Sequence, residues 1–372
     1  MKTIRRLIYG EVLIATGFVL VAFLALFFFF DFVDELSSIG RPSRLDPTVI
    51  YGLRHALLYV TLLIPSRIYE LAPISVLIGT VTVMARLAQS SEYTILRTSG
   101  LGPWKALRTL MGLGLIFVAF TFAIGDYLAP TASKVAQLYK ASYQGKLSLG
   151  QTGAWLKEKQ AYSNFSVNVG SLSASGEIGE VRIFEFDNQG LLVSTLQADK
   201  GQIENDSSWT LLKVTRREFD VAGQQSAKIV RSQHDSFRWP SALSAEMVSV
   251  ALLKPDRMRI ADLYAYIQHL EANGQTAQRY EIEFWRKLFY PLSCLVMVVL
   301  ALPFAYLHFR TGGITGYVFG GVMIGISFFL LNNVFNYIGN LNQWQPWLAA
   351  ALPAIIYSIV SLGAFGWLVL RR

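Results

Sequence analysis

The sequence predicts an integral membrane α-helical protein: six transmembrane helices, with an all-β jelly-roll domain inserted between the third and the fourth. Three observations predict this. Of the 372 residues, 53% are hydrophobic and only 16% charged, where a soluble chain carries about a quarter charged residues. Several apolar runs reach the roughly 20 residues a helix needs to cross a bilayer. A polar stretch from about residue 131 to 260 interrupts those runs and alternates apolar with polar residues, the period of a strand.

The elements follow in order. The start, MKTIRRLIYGEVLIATGFVLVAFLALFFFF, has a basic head, but its apolar run is too long for a signal peptide and no small-residue cleavage site follows. It reads as a retained first span, Glu11 to Val33. Pro65, Arg67 and Glu70 divide the next apolar stretch into an interfacial helix near 52–64 and a second span, Ile68 to Leu87. The third span covers Pro103 to Leu128. Within the polar region, GEVRIFEFDNQG is a strand ending in an Asp-Asn-Gln-Gly turn, and a further turn falls at Asn205–Ser208. Strands this closely spaced suggest an antiparallel sandwich or jelly roll. The segment IADLYAYIQHLEANGQTAQRYEIEFW returns as a helix that breaks near Asn273–Gly274. Spans near 284–307, 314–338 and 346–370 complete the chain. The domains are therefore 1–130 (three spans and a short loop helix), 131–260 (β-domain) and 261–372 (connecting helix and three spans).

Charge orients these elements. The net charge of +8 invites nucleic acid as a partner, but the cations sit at the ends of apolar runs, where membrane topology puts them. Lys2, Arg5, Arg6, Arg371 and Arg372 mark the termini; Arg86, Arg97, Lys105 and Arg108 flank the loop between spans two and three; His308 and Arg310 begin the loop after span four. The loop GNLNQWQPW has no Lys or Arg. Both termini are expected in the cytoplasm and the β-domain outside it.

Several chemistries find no carrier. No G-x-x-x-x-G-K-[ST] stretch is present to cradle a nucleotide, and no G-x-S-x-G elbow to hold a nucleophile. The four histidines, His55, His234, His269 and His308, are scattered, and the single cysteine, Cys294, lies in an apolar run. No catalytic, cofactor-binding or metal-ligating residue is expected. An enzyme acting on lipid-linked glycans would need paired carboxylates, for which Asp31, Asp34 and Asp126 are the candidates.

The loop AQSSEYTILRTSG, residues 88–100, carries helix signals instead. Ser90 or Ser91 suits an N-cap, Glu92 the positive end of the dipole, Arg97 the negative end and Gly100 the stop. A helix of two turns is not stable alone and needs something to pack on. Its spacing fits equally a loop helix on the membrane surface and one whose Tyr93, Leu96 and Arg97 meet a partner. In the fifth span Gly312, Gly316 and Gly320 recur every four residues, and Gly321 and Gly325 make a second pair; small-xxx-small spacing lets helices approach closely. Polar residues at membrane depth are costly. Asn332, Asn333 and Asn336 in one half-span read as lining a cavity, whereas Asp31, Asp34, Asp126, Lys134 and Lys140 fit interfacial snorkelling as well as ligand contact.

Three segments carry a likeness. QSSEYTILRTSGLGPWKAL resembles the E-x-x-x-L-R-x-S-G loop of the LptF/LptG permease family, which exports lipopolysaccharide. IGDYLAPTASKVAQLYKA is similar to that family's third-span exit, and RYEIEFWRKLFYPLSCLVMVVLALPFAYLHFRTGG to its fourth span and following loop. FVDELSSIG is closer to the LptG branch than to the sister LptF branch. The resemblance implies a non-catalytic subunit of an ABC exporter in the Gram-negative inner membrane. It would pair with an LptF-like permease, two LptB-like ATPases that hold ATP and Mg, and an LptC-like bitopic protein. Lipopolysaccharide would pass through periplasmic jelly rolls to an LptA-like bridge. Ser91, Glu92, Tyr93, Leu96 and Arg97 become the ATPase-coupling residues, with Glu92 the key polar contact. The substrate cavity would lie between the two permeases, its walls largely from the first and fifth spans, with basic residues meeting the lipid A phosphates. Relatives often carry lysines around the F-V-D segment, where this chain has Asp31, Ser37 and Ser38. The implied cavity residues here are Asp34, Arg41, Arg44, Lys134, Lys140 (which matches a basic position of the family), Phe328, Phe329 and Asn332.

Overall fold

The computed structural model describes residues 2–41, 50–144, 154–160, 163–172, 176–204, 208–220, 228–244, 247–248, 255–306 and 314–367. They form two compact units: Met1–Ser37, Val60–Ser133 and Glu281–Arg372 in the first, Ser38–Tyr59 and Lys134–Tyr280 in the second. Arg44 and Gly312, and with them His308, Arg310, Arg371 and Arg372, lie outside the described residues.

Among the described residues, six helices are long and apolar enough to cross a membrane: Thr3–Leu36, Leu53–Gln89, Pro103–Gln137, Gln278–Tyr306, Thr315–Leu341 and Pro346–Phe365. The first is a single helix, α1 (Lys2–Leu36). The second, α2 (Leu53–Gln89), runs unbroken through Pro65 and Pro73. This corrects the expected division into an interfacial helix and a shorter span. Each proline forfeits one backbone bond; Pro73 lies where residues 71–81 are all buried, the packed surroundings in which a transmembrane helix tolerates that, and Pro65 is half-buried. Arg67 does not end the helix either, because Asp31 of α1 takes its Nε and Nη2 at 2.9 and 2.6 Å and Glu70 takes its Nη1 at 3.0 Å.

After the short α3 (Glu92–Thr98), the third span is built from α4 (Pro103–Ala123), a π-helical turn (Ile124–Leu128) and α5 (Ala129–Gln144). Pro130 follows the π turn and has no N–H for the carbonyl of Asp126, which explains why the ladder widens there. The Lys287 ammonium donates to the Gly125 carbonyl at 3.1 Å, and the Tyr69 ring lies against the Gly125 Cα, where no side chain would fit.

Among its described residues the second unit carries six strands: β1 (Ala154–Lys159), β2 (Asn164–Leu172), β3 (Glu177–Phe186), β4 (Leu192–Glu204), β5 (Ser208–Asp220) and β6 (Lys228–Pro240). They form one antiparallel sheet in the order β1-β2-β3-β4-β5-β6, each strand beside its neighbours in sequence. The alternation read from the sequence is real: Leu156, Val167, Val169, Val181, Ile183, Leu196, Ala198, Trp209, Leu211 and Val214 are all buried. The Asp-Asn-Gln-Gly turn forms as expected, with Asp187 Oδ1 accepting from the Gln189 and Leu191 amides and Gly190 at φ +83. Residues 205–207 of the other expected turn are outside the described residues, but β4 and β5 end on either side of it. The Trp209 indole donates to the Leu243 carbonyl at 2.8 Å, and the buried Glu158 carboxylate accepts from Ser241 Oγ (2.6 Å) and the Ala242 amide (2.9 Å), fixing the exit of β6 to β1.

The return begins with α6 (Ile260–Ala272), which ends at the predicted Asn273–Gly274 break, Gly274 having φ +62. The fourth span then comprises α7 (Gln278–Phe289), a 3₁₀ turn at Tyr290–Leu292, α8 (Ser293–Ala301) and a 3₁₀ turn at Leu302–Tyr306. The last two spans are α9 (Ile314–Leu341) and α10 (Pro346–Phe365). The core of the first unit gathers Val76, Leu77, Val81 and Met84 of α2, Leu110 and Leu113 of α4, and Cys294, Met297 and Val298 of α8.

Candidate functional site

The loop between the second and third spans folds into a helix held at both ends by backbone, not by serine. Ser91 at its N-cap is left-handed (φ 59) and makes no side-chain cap bond, while Ser90 Oγ turns back to the Leu87 carbonyl at 3.4 Å. The expected serine cap is therefore not made: the left-handed residue reverses the chain out of α2 and leaves only its carbonyl, which accepts from Ile95 at 3.2 Å. The glycine stop is made. Gly100 (φ +97) donates to the Arg97 carbonyl and Leu101 to the Leu96 carbonyl, each at 3.1 Å, the paired bonds of a Schellman motif. Leu101 is buried and Leu96 packs beside it in the core.

Tyr93, expected to face a partner, is buried in this chain at 3% exposure. Its ring stands edge-on to Tyr306 with centroids 5.2 Å apart, and the Arg97 guanidinium lies 5.6 Å above the same Tyr306 ring. Burial holds the Tyr93 phenol well above its usual pKa. The reason is arithmetic: a seven-residue helix needs an anchor, and on this helix Tyr93 is the large apolar side chain turned inward. The exposed residues are Ser91, Glu92, Thr94, Ile95, Arg97, Thr98 and Ser99. Ile95, 62% exposed, is one of them and the sequence reading passed it over. An apolar residue three positions from Glu92 on a loop helix was the signal available.

The other expected residues separate by helix face. A Cβ built on Gly321 would stand 3.5 Å from Val81, and one on Gly325 would stand 3.0 Å from Ile74, so this pair seats α9 on α2. Gly316 and Gly320 have nothing within 4 Å of such a Cβ. Phe328 does not line an open wall: it is 1% exposed and packed between the Tyr290 and Tyr357 rings, at 6.4 and 5.1 Å. Phe329, the next residue, is 38% exposed. Asn332 is half-buried and donates to the Phe328 carbonyl at 3.2 Å, and Asn340 donates to the Asn336 carbonyl at 3.0 Å, so part of this polar content is absorbed by the helix itself.

Asp34 is exposed near the end of α1, where its carbonyl accepts from Ser37 Oγ at 2.9 Å. In the second unit Arg41 and Lys134 are exposed, and the Lys140 ammonium lies 4.5 Å over the Tyr59 ring, beside a cluster in which Tyr51, His55, Tyr139 and Tyr143 meet ring to ring. Burial and the Tyr143 hydroxyl push the Tyr139 phenol up to about 12. The Asp31–Arg67 pair, joining residues 36 apart in sequence, was not foreseen. No group of three His, Cys, Asp or Glu that could hold a metal occurs among the described residues.

Known proteins are similar to this chain over nearly its whole length. The family model described as "Lipopolysaccharide export system permease LptF/LptG" matches residues 6–371. The lipopolysaccharide export system permease protein LptG of Escherichia coli (strain K12) is 29% identical over 344 residues, 92% of this chain and 90% of the relative. The LptG protein of Haemophilus influenzae is 25% identical over 375 residues, covering 100% of this chain and 99% of the relative. The chain belongs to the lipopolysaccharide export system permease family LptF/LptG.

Proposed function

We propose that this chain is the LptG-type permease subunit of an ABC exporter that extracts lipopolysaccharide from the inner membrane of a Gram-negative cell and passes it to a periplasmic bridge. Within that system it is a non-catalytic transmembrane subunit. An LptF-like permease pairs with it, two LptB-like ATPases bind and hydrolyse ATP with Mg, an LptC-like protein joins the pair, and an LptA-like bridge receives substrate from the β-domain. Both termini and α3 then lie in the cytoplasm, which the placement of Lys and Arg at the span ends supports.

The observation that carries the reading is the build of α3. Tyr93 and the Gly100–Leu101 turn hold it to the chain's own core while Glu92 and Ile95 face outward. A short helix so braced can transmit a push without unravelling, and its exposed face offers an apolar knob beside a carboxylate. The two helices that the family's cavity calls for, α1 and α9, are also the least buried of the six, with 11% and 17% of their apolar windows buried. Of the three carboxylates open to the enzyme reading, Asp31, Asp34 and Asp126, the first is paired with Arg67.

The test is co-purification of the ATPase with tagged chain from native membranes. Glu92→Lys and Ile95→Asp should each release the ATPase or abolish lipopolysaccharide-stimulated hydrolysis, while Thr98→Ala should not. Retention of a fully coupled ATPase by both variants would refute the role of α3.

A further inference from the structure

Along α1, packing changes character halfway. Ile8, Val12 and Thr16, spaced four residues apart, are buried, and the Thr16 backbone approaches Gly79 of α2 so closely that a Cβ there would stand 2.6 Å from the Thr16 Cα. From Gly17 to Asp34 no residue is buried, and Phe18, Val21, Phe29 and Phe30 are more than half exposed. Eighteen residues of helix therefore extend beyond the firm contact as a lightly packed arm.

That arm is gripped at one point by charge. Arg67 of α2 meets Asp31 with two parallel N–H···O bonds, and its guanidinium lies 5.2 Å over the Phe27 ring one turn earlier. A planar fork on a carboxylate fixes direction as well as distance. Arg67 is itself set on a rigid post. Glu70 holds its third nitrogen, and the Tyr290 hydroxyl donates to the Glu70 carbonyl at 2.6 Å, tying that turn of α2 to the fourth span. In an apolar setting an ion pair is costly to open, because each charge released must find another partner.

We propose that Arg67 is a positioning residue that latches the C-terminal half of the first span to the second, and that export requires this latch to be whole. The proposal rests on the permease reading for its role in export. The latch itself can be observed without substrate.

The experiment places a nitroxide at Val33→Cys, near the latch, or at Leu13→Cys, in the firmly packed half; both positions are 44% exposed. Each labelled chain is assembled with its partner subunits in lipid nanodiscs. Asp31→Asn and Arg67→Ala should speed motion of the Val33 label about threefold and leave the Leu13 label as in wild type. The double variant Asp31→Arg/Arg67→Asp should restore the slow spectrum. Arg67→Lys, with one point charge in place of the fork, should fall between. A Val33 label insensitive to both single variants overturns the latch, as does a charge-swapped double variant as mobile as the singles. Lipopolysaccharide release from the same nanodiscs should fall at least fivefold in the single variants and recover in the swap. Loosening of the arm with release at the wild-type rate overturns the role in export. A wild-type assembly that releases no lipopolysaccharide counts against the permease reading, with the label spectra still deciding the latch.

Discussion

The second and fourth spans are built for burial and the first and fifth are not. Of their apolar windows 83% and 67% are buried, against 11% and 17% for the first and fifth. The first is the most apolar of the four and the fifth is no more apolar than the second, so hydropathy does not separate them; the placing of small and polar residues differs more. Buried spans carry prolines, a paired arginine and close glycine contacts inside the core, whereas α9 keeps Gly316 and Gly320 bare. Lipid tails are as apolar as the side chains of the first and fifth spans, so nothing in the bilayer forces those faces to pack within the chain.

The largest effect that would break or sharpen this comparison comes from adjacent phenylalanines. Phe328→Ala should cost about 3–5 kcal/mol, and Phe329→Ala should stay within about 0.5 kcal/mol, as read from denaturation in detergent. Similar losses at both would mean that the two faces of α9 do not differ. Next come the glycines. Gly79→Leu drives a side chain into the Thr16 backbone and should cost about 1–3 kcal/mol, whereas Gly320→Leu should leave the melting temperature unchanged. A smaller, local effect is expected from Tyr93→Ala. It should expose the loop at 90–100 to protease and weaken ATPase capture while the global transition barely moves; unchanged proteolysis would show that Tyr93 is not the anchor.

The smallest effect lies in the second unit. Burial holds the His269 imidazole below its ordinary pKa, although Glu158 pulls the other way. The unfolded chain therefore takes up the proton first, so this contribution is present at neutral pH and declines as pH falls below about 6.5. His269→Gln should flatten that part of the pH dependence of β-domain unfolding. An unaltered slope would place its origin elsewhere.

Much of the fold was legible because the signals are local. Six apolar runs, the alternation of β3, the Asp187 turn, the Asn273–Gly274 break and the Gly100 stop each depend on a few neighbouring residues and the backbone. The misses depend on partners distant in the chain. Pro65 and Arg67 read as a break because nothing nearby in sequence says that Asp31 will neutralise the arginine. Tyr93 read as outward-facing because Tyr306, which it packs against, is more than 200 residues away. Phe328 and Phe329 are indistinguishable by composition, and only the Tyr290 and Tyr357 rings decide which is core. Lys287 gave no hint that it would seek a carbonyl released by a widened turn.

That turn has a consequence for helical phase. A π turn accommodates one residue more than the α-helix around it, and each residue advances an α-helix by about 100°. The faces of Ala129–Ser133 are therefore rotated by that amount from where the periodicity of α4 would carry them, so deleting a single residue at 124–128 would turn the buried Ser133 off its face without altering it.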